Sequence, residues 1–361
     1  MDAPSLRNVF SLQRRSFLKN CLASSALALA PFGIAQAAAG RREELLRFIH
    51  PDLRSMLPKL LEMEQSIPEL NRDTLPKRRE MMWAWQKPFL QDVPVYQQVI
   101  PGTRGNPDVT VWVVNARSDG QRAAILHTHG GGMVIGNPKI DVPDLQKLAT
   151  ELDCVIVSVN YRLAPETTFK GSIEDNYAGL LWLHRNARAL GADPDRLALM
   201  GESAGGGHAA LLAIAARDRG EVPVIFQYLM YPMLDDRTGS SRKMPYPMGE
   251  LIWNAQSNRF GWSSFLGQPA GMSKVPPNSV PGRVKDLSKL PPAFIAVGTL
   301  DLFCLEDIDF ASNLNAAGVP AELICVPGAF HGFDNSAGDT PLGNWFHETK
   351  LTALRQGLAR A

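Results

Sequence analysis

Gly201-Glu202-Ser203-Ala204-Gly205 places a hydroxyl between two glycines. A serine in this setting, on a tight turn from strand to helix, sits in a strained conformation that only flanking glycines accommodate, and its hydroxyl is lifted above the sheet end. The helix that follows would turn its positive dipole end toward the carbonyl under attack. His129-Gly130-Gly131-Gly132 is a second, independent element. Consecutive glycines expose backbone N–H groups, and two or three such donors stabilise the oxygen that becomes negative when a carbonyl turns tetrahedral. The candidate donors are the N–H groups of Gly131, Gly132 and Ala204. The chemistry that suits these residues is acyl transfer.

A serine hydroxyl is a weak nucleophile until a base takes its proton, and the base needs an orienting carboxylate. Of the seven histidines, His331 lies in Pro327-Gly328-Ala329-Phe330-His331-Gly332-Phe333, a glycine-flanked loop after the last expected strand. Asp301 follows the strand at 294–297, at the carboxyl end where such sheets gather functional groups. The order Ser203, Asp301, His331 matches a nucleophile, acid, base sequence. Glu306, Asp307 and Asp309 are rival acids, but they begin the next helix, where carboxylates ordinarily complement the dipole. His208 would lie inside a helix and turned away from Ser203. His127 is expected in a strand, His184 in a helix, and His50 and His347 in peripheral helices, all as structural or surface histidines. His129 reads as a brace for its loop, and Glu202 as a hydrogen-bonding residue that fixes the turn. Ser16-x-x-Lys19 has the spacing of a serine–lysine pair, but it lies in a segment expected to be removed and is read as chance.

These groups need a scaffold. Short β-branched runs at 93–100, 109–114, 123–126, 154–159, 197–200, 224–229, 294–297 and 323–326 give eight expected strands. Helical spacing falls at 142–152, 173–189, 204–217, 306–317 and 346–358. Strands alternating with helices point to an α/β fold with a mostly parallel sheet. Residues 41–91 read as helices broken by Pro58, Pro68 and Pro76. The stretch 235–289 is too long for a structureless loop, and helical spacing at 249–265 suggests an inserted helical lid.

Together, residues 129–132, Tyr161-Arg162-Leu163-Ala164-Pro165-Glu166, Gly201-Glu202-Ser203-Ala204-Gly205-Gly206, Tyr231-Pro232-Met233-Leu234-Asp235-Asp236-Arg237 and His331-Gly332-Phe333 resemble the hormone-sensitive-lipase-like branch of the α/β-hydrolases, in particular its bacterial acetyl-esterase-like members. The match spans residues 90–335. It departs from the family at Asp301-Leu302-Phe303, where many relatives have Asp-Pro-Leu. The resemblance implies a serine carboxylesterase that hydrolyses short-chain acyl esters through an acyl-enzyme, with Ser203, Asp301 and His331 as its triad and no cofactor. It also implies a cap made of residues 38–91 and the 235–289 insertion over a catalytic domain at 92–361. Trp83, Trp85, Trp253, Phe260, Trp262 and Phe265 are candidates for its pocket lining or for ordinary helix packing. The Tyr-Arg-Leu-Ala-Pro-Glu block reads as a structural brace. The same triad would serve a formamide, carbamate or lactone. A noncatalytic binding role, as in the plant gibberellin receptors on this fold, goes with loss of the triad histidine, which is present here.

The chain has 361 residues, 37 Lys+Arg against 36 Asp+Glu, and a formal charge of +1. So even a balance provides no field to gather nucleic acid or anionic lipid, and it suits a small uncharged substrate. The 45% hydrophobic and 20% charged residues are globular values that exclude wholesale disorder. No His, Cys or carboxylate cluster has metal-ligand spacing. Gln13-Arg14-Arg15-Ser16-Phe17-Leu18-Lys19, an apolar run at 21–30 and Ala35-Gln36-Ala37 resemble a twin-arginine export signal with its cleavage site, which implies passage through the twin-arginine machinery to the periplasm or medium. The run is too short and interrupted to span a membrane. Cleavage after Ala37 would leave about 324 residues at a charge near −2. Of four cysteines, Cys304 and Cys325 fall close enough in the expected topology for a disulfide to be considered.

Overall fold

Two-sided burial turns the central strands into nearly continuous apolar runs. In Val109–Val114 and Val155–Asn160 all but one residue of each strand is buried or nearly so. The structure, a computed structural model, describes residues 40–359 apart from Arg104. It divides at Met1–Glu44 and Leu45–Ala361; of the first unit only residues 40–44 are described, and they are helical. The expected export signal lies outside the described residues.

Eight strands form one sheet: β1 (Val95–Ile100), β2 (Val109–Val114), β3 (Arg122–Thr128), β4 (Val155–Asn160), β5 (Ala192–Glu202), β6 (Phe226–Met230), β7 (Ala293–Gly298) and β8 (Ala321–Val326), in the order β1-β2-β4-β3-β5-β6-β7-β8. β2 pairs antiparallel with β1 and β4, and every later pairing is parallel. From residue 57 onward the helices are α1 (Leu57–Ser66), α2 (Leu75–Met82), α3 (Pro138–Glu151), α4 (Phe169–Asn186), α5 (Ala204–Arg219), α6 (Ala255–Leu266), α7 (Cys304–Ala316), α8 (Asp334–Ala337) and α9 (Pro341–Leu358).

Strand periodicity sends alternate residues to opposite faces. On β5, Leu197 and Leu199 join one apolar cluster with Leu180 and Leu183 of α4 and Phe310 of α7. Ala198 and Met200 join the other, with Ala149 of α3 and Phe346 and Leu354 of α9. A third cluster sits apart from these layers, where Leu70 and Leu75 from the N-terminal segment meet Trp253, Trp262 and Phe265 from the 235–289 insertion, around Met133, Val134 and Ile135.

Several expected boundaries move. Pro58 and Pro76 do not break helices but start them, each at the first turn where its missing N–H costs nothing. The insertion is less helical than its spacing suggested. α6 starts only at Ala255, behind an Asn254 cap that accepts the Ser257 amide at 2.9 Å, while Ile252 lies outside it with φ +68°. His50 is not within a helix; it caps the short 3-10 turn Pro51–Met56.

Candidate active site

Ser203 occupies the turn between β5 and α5 at φ 57°, ψ −122°, a conformation that costs a side-chain-bearing residue free energy and needs its surroundings to hold it. Backbone pairs do so on both sides: the Ser203 amide donates to Met230 O at 2.9 Å, and Ser203 O accepts the amide of Met233 at 2.9 Å. The neighbouring glycines are steric necessities. A Cβ on Gly201 would strike Gly205 O, and one on Gly205 would strike Thr128 O.

The three sequence-predicted residues converge. Nε2 of His331 lies 3.0 Å from Oγ of Ser203, and Nδ1 lies 2.7 Å from Oδ2 of Asp301. All three are buried, at 8%, 7% and 0% exposure for Ser203, His331 and Asp301. A carboxylate only accepts, so Nδ1 carries the proton and Nε2 is left as an acceptor for the serine. His331 comes from the loop after β8, and its ring meets Tyr231 and Phe303 edge-on at 4.9 and 5.2 Å between centroids. Asp301 leaves the end of β7, and its Oδ1 accepts the Phe303 amide at 2.9 Å.

The glycine loop lies beside the serine: a Cβ on Gly130 would be 3.6 Å from that of Ser203. Gly131, Gly132 and Met133 follow one another at φ 119°, 58° and 68°. The amides of Val134 and Ile135 close a turn onto Gly131 O at 3.1 and 2.9 Å. Among the described residues the N–H groups of Gly131, Gly132 and Ala204 take no protein acceptor, so they are free for a ligand oxygen. Trp253 packs so closely on Gly132 that a Cβ there would collide with the indole.

Residues 125–335 match the alpha/beta hydrolase fold family. The chain belongs to that family. It is 32% identical over 277 residues to esterase LipI of Mycobacterium tuberculosis, covering 75% of this chain and 84% of that protein, and 35% identical over 243 residues to carboxylesterase NlhH of the same species, covering 65% and 73%. Among solved structures it is similar to a bacterial heroin esterase, with 34% identity, a TM-score of 0.78, and coverage of 87% of this chain and 99% of that one. The protein is a carboxylic ester hydrolase.

The other histidines of this α/β-hydrolase do not reach the serine. His129 is buried, with Nδ1 2.8 Å from Gly130 O, its carbonyl receiving the Tyr161 hydroxyl at 2.7 Å and its ring stacked on Tyr161 at 4.2 Å. It braces the glycine loop. His208 packs against Tyr161 and Phe265. Burial lowers the pKa of both to about 3, so each is neutral at pH 7. His127 differs: burial alone would lower its pKa, but the Glu202 carboxylate, 2.9 Å from Nε2, prevails and holds it above the ordinary value. Its Nδ1 is 2.7 Å from Oγ of Ser158. Glu202 thus fixes the turn by reaching back to β3.

One expectation needs correction in this hydrolase, and the cysteine pairing that the sequence left open is decided. Glu306 and Asp307 stand in the first turn of α7 but are not exposed carboxylates complementing a dipole. Both are buried, and burial raises their pKa well above the usual range. Glu306 is occupied by the amides of Leu234 and Asp235, at 2.6 and 3.2 Å. Asp309 is exposed and pairs with Arg242 at 2.7 Å. The cysteines Cys154, Cys304 and Cys325 are free, so no disulfide joins the last two. Among the described residues no group of three or more His, Cys, Asp or Glu is placed to hold a metal ion, and no helix is long and apolar enough to cross a membrane.

Contacts that join distant segments carried no sequence signal. The Tyr231 hydroxyl donates to Asp334 at 2.9 Å, and Asp334 is held by Lys350 at 2.7 Å, which steadies the ring beside His331. Arg79 reaches the glycine loop from α2. Only a three-dimensional arrangement reveals either.

Proposed function

We propose that this hydrolase cleaves small, uncharged, short-chain acyl esters through an acyl-enzyme on Ser203. The observation that carries this reading is the unbroken run from Asp301 through His331 to Ser203 at 2.7 and 3.0 Å. Nε2 of His331 takes the serine proton as Oγ attacks the carbonyl carbon, and Asp301 stabilises the imidazolium that forms. The N–H groups of Gly131, Gly132 and Ala204 receive the carbonyl oxygen as it becomes negative, each supplying about 3 kcal/mol toward the barrier. His331 then returns the proton to the leaving alcohol. Water, deprotonated by the same imidazole, releases the acid and restores the serine.

Support for a short acyl group comes from the space around the donors. Trp253 covers Gly132, and Met233, Trp262 and Phe265 are fully buried in the same apolar cluster. A panel of aryl esters from acetate to laurate, with an amide and a lactone added, tests the reading. It requires a maximum among the shortest esters and a loss of about 10⁴-fold or more in kcat for Ser203→Ala. A maximum at ten carbons or beyond would contradict the chain-length claim, and faster amide or lactone turnover would reassign the bond.

The cap, in this reading, is formed by residues 38–91 and the 235–289 insertion. Export by the twin-arginine route rests on the sequence of residues 13–37. In a host with that machinery, replacing Arg14 and Arg15 by lysine should retain the unprocessed chain in the cytoplasm; undiminished export would remove the assignment.

A further inference from the structure

The loop carrying Gly131 and Gly132 is a strained segment held from outside. Three successive residues have positive φ, and the third, Met133 at 68°, has a Cβ that this region disfavours. Such backbone persists only where its neighbours over-determine it. The turn's own hydrogen bonds end on Gly131 O and leave Val134 O directed outward, where Nε of Arg79 donates to it at 2.8 Å. Nη2 of the same guanidinium donates at 3.0 Å to Ala164 O, and the Ala164 amide itself donates to Met133 O at 3.0 Å. The guanidinium therefore bridges both sides of one backbone pair. Its outer edge is fixed by Glu166, with two hydrogen bonds of 2.7 and 2.8 Å. One turn earlier on α2, Leu75 is buried in the cluster that holds Val134 and Ile135.

We propose that Arg79 is a positioning residue for the esterase reaction, tying α2 to the oxyanion loop and holding the Gly131 and Gly132 N–H groups in line with the developing oxyanion. The proposal rests on the reading of those two groups as oxyanion donors. Only the planar fork of an arginine can serve Val134, Ala164 and Glu166 together; lysine offers a point charge in its place. The loop without this tie still binds ester but meets the tetrahedral oxygen poorly, since misplacement of about 1 Å costs on the order of 100-fold in rate.

The test compares wild type with Arg79→Met, Arg79→Lys and Glu166→Gln in three readouts: kcat and KM on an aryl acetate, inhibition by an arylboronic acid that forms a tetrahedral adduct with serine, and Tm. Arg79→Met should lose about 10- to 100-fold in kcat with KM within about threefold, and boronate affinity should fall in parallel. Arg79→Lys and Glu166→Gln should fall between wild type and Arg79→Met. A merely structural role would lower Tm while kcat and boronate affinity held, and that result overturns the proposal. So does unchanged kcat in any of the three, Glu166→Gln being the mildest change should Arg79→Met fail to fold. A wild type that turns over ester yet binds no boronate on Ser203 overturns the oxyanion reading instead, and the proposal with it.

Discussion

Oδ2 of Asp301 lies 2.7 Å from Nδ1 of His331, while Oδ1 of the same carboxylate accepts the Phe303 amide at 2.9 Å. The acid is thus fixed by its own loop before it aims the imidazole. Asp301→Asn would offer an amide N–H or a weaker acceptor to Nδ1 and favour the wrong tautomer. The expected loss in kcat is about 10³- to 10⁴-fold with KM little changed. Steady-state kinetics on an aryl acetate decide it, and a loss under tenfold would take Asp301 out of the role.

Trp253 is 5% exposed and covers Gly132, so it bounds the space nearest the N–H groups proposed to receive the carbonyl oxygen. Trp253→Ala should raise kcat/KM for octanoate relative to acetate at least tenfold, while the cavity costs about 3 to 5 kcal/mol of stability. An unchanged chain-length profile in the folded variant would show that the acyl group lies elsewhere.

His129 and His208, with pKa lowered by burial from 6.5 to about 3, make stability depend on pH. Below 6.5 the unfolded chain takes up protons that the native histidines refuse, so stability is full above that pH and declines as the pH falls toward 3. The slope is up to about 1.4 kcal/mol per pH unit for each histidine. His208→Phe keeps the ring packing against Tyr161 and Phe265 and should flatten the slope by about one proton. Urea unfolding at pH 7, 6 and 5 measures this; identical slopes for variant and wild type would refute it.

Arg162 donates from Nε and Nη2 to Asp175, which is almost fully buried, and the Arg162 amide joins them at 2.8 Å. Arg162→Leu would leave the carboxylate with only part of its support, and a destabilisation of about 2 to 4 kcal/mol is expected, discounted for the half-exposed guanidinium. Catalysis should persist with kcat within about threefold. A large fall in kcat at unchanged Tm would give Arg162 a part in the reaction in place of the bracing role its sequence suggests.

Much of this was legible in the sequence where local pattern and tertiary fate agree. β2 occupies residues 109–114 as read, because burial on both faces makes every residue but Thr110 apolar. The strand signal of β5 covers only 197–200; the strand begins at Ala192, where Asp193, Pro194 and Asp195 give no such signal and pairing with β3 passes a shift near Arg122. α3 and α9 start earlier than their apolar spacing implied, at Pro138 behind the Asn137 cap and at Pro341 behind Thr340, signals of cap and proline that periodicity alone passes over. Ser203, Asp301 and His331 were readable because each sits in a short motif at an element end. Arg79 was not: its contact with Val134 spans 55 residues, and nothing in either segment announces the other.

The proposed reaction turns on an acyl group carried covalently by Ser203. Rapid-quench peptide mass spectrometry during turnover of an aryl acetate would detect it. An acetyl group on the peptide bearing Ser203, formed in a burst and absent in Ser203→Ala, is expected. Turnover at the wild-type rate by Ser203→Ala, or acetyl found on another residue at catalytic rates, would contradict it.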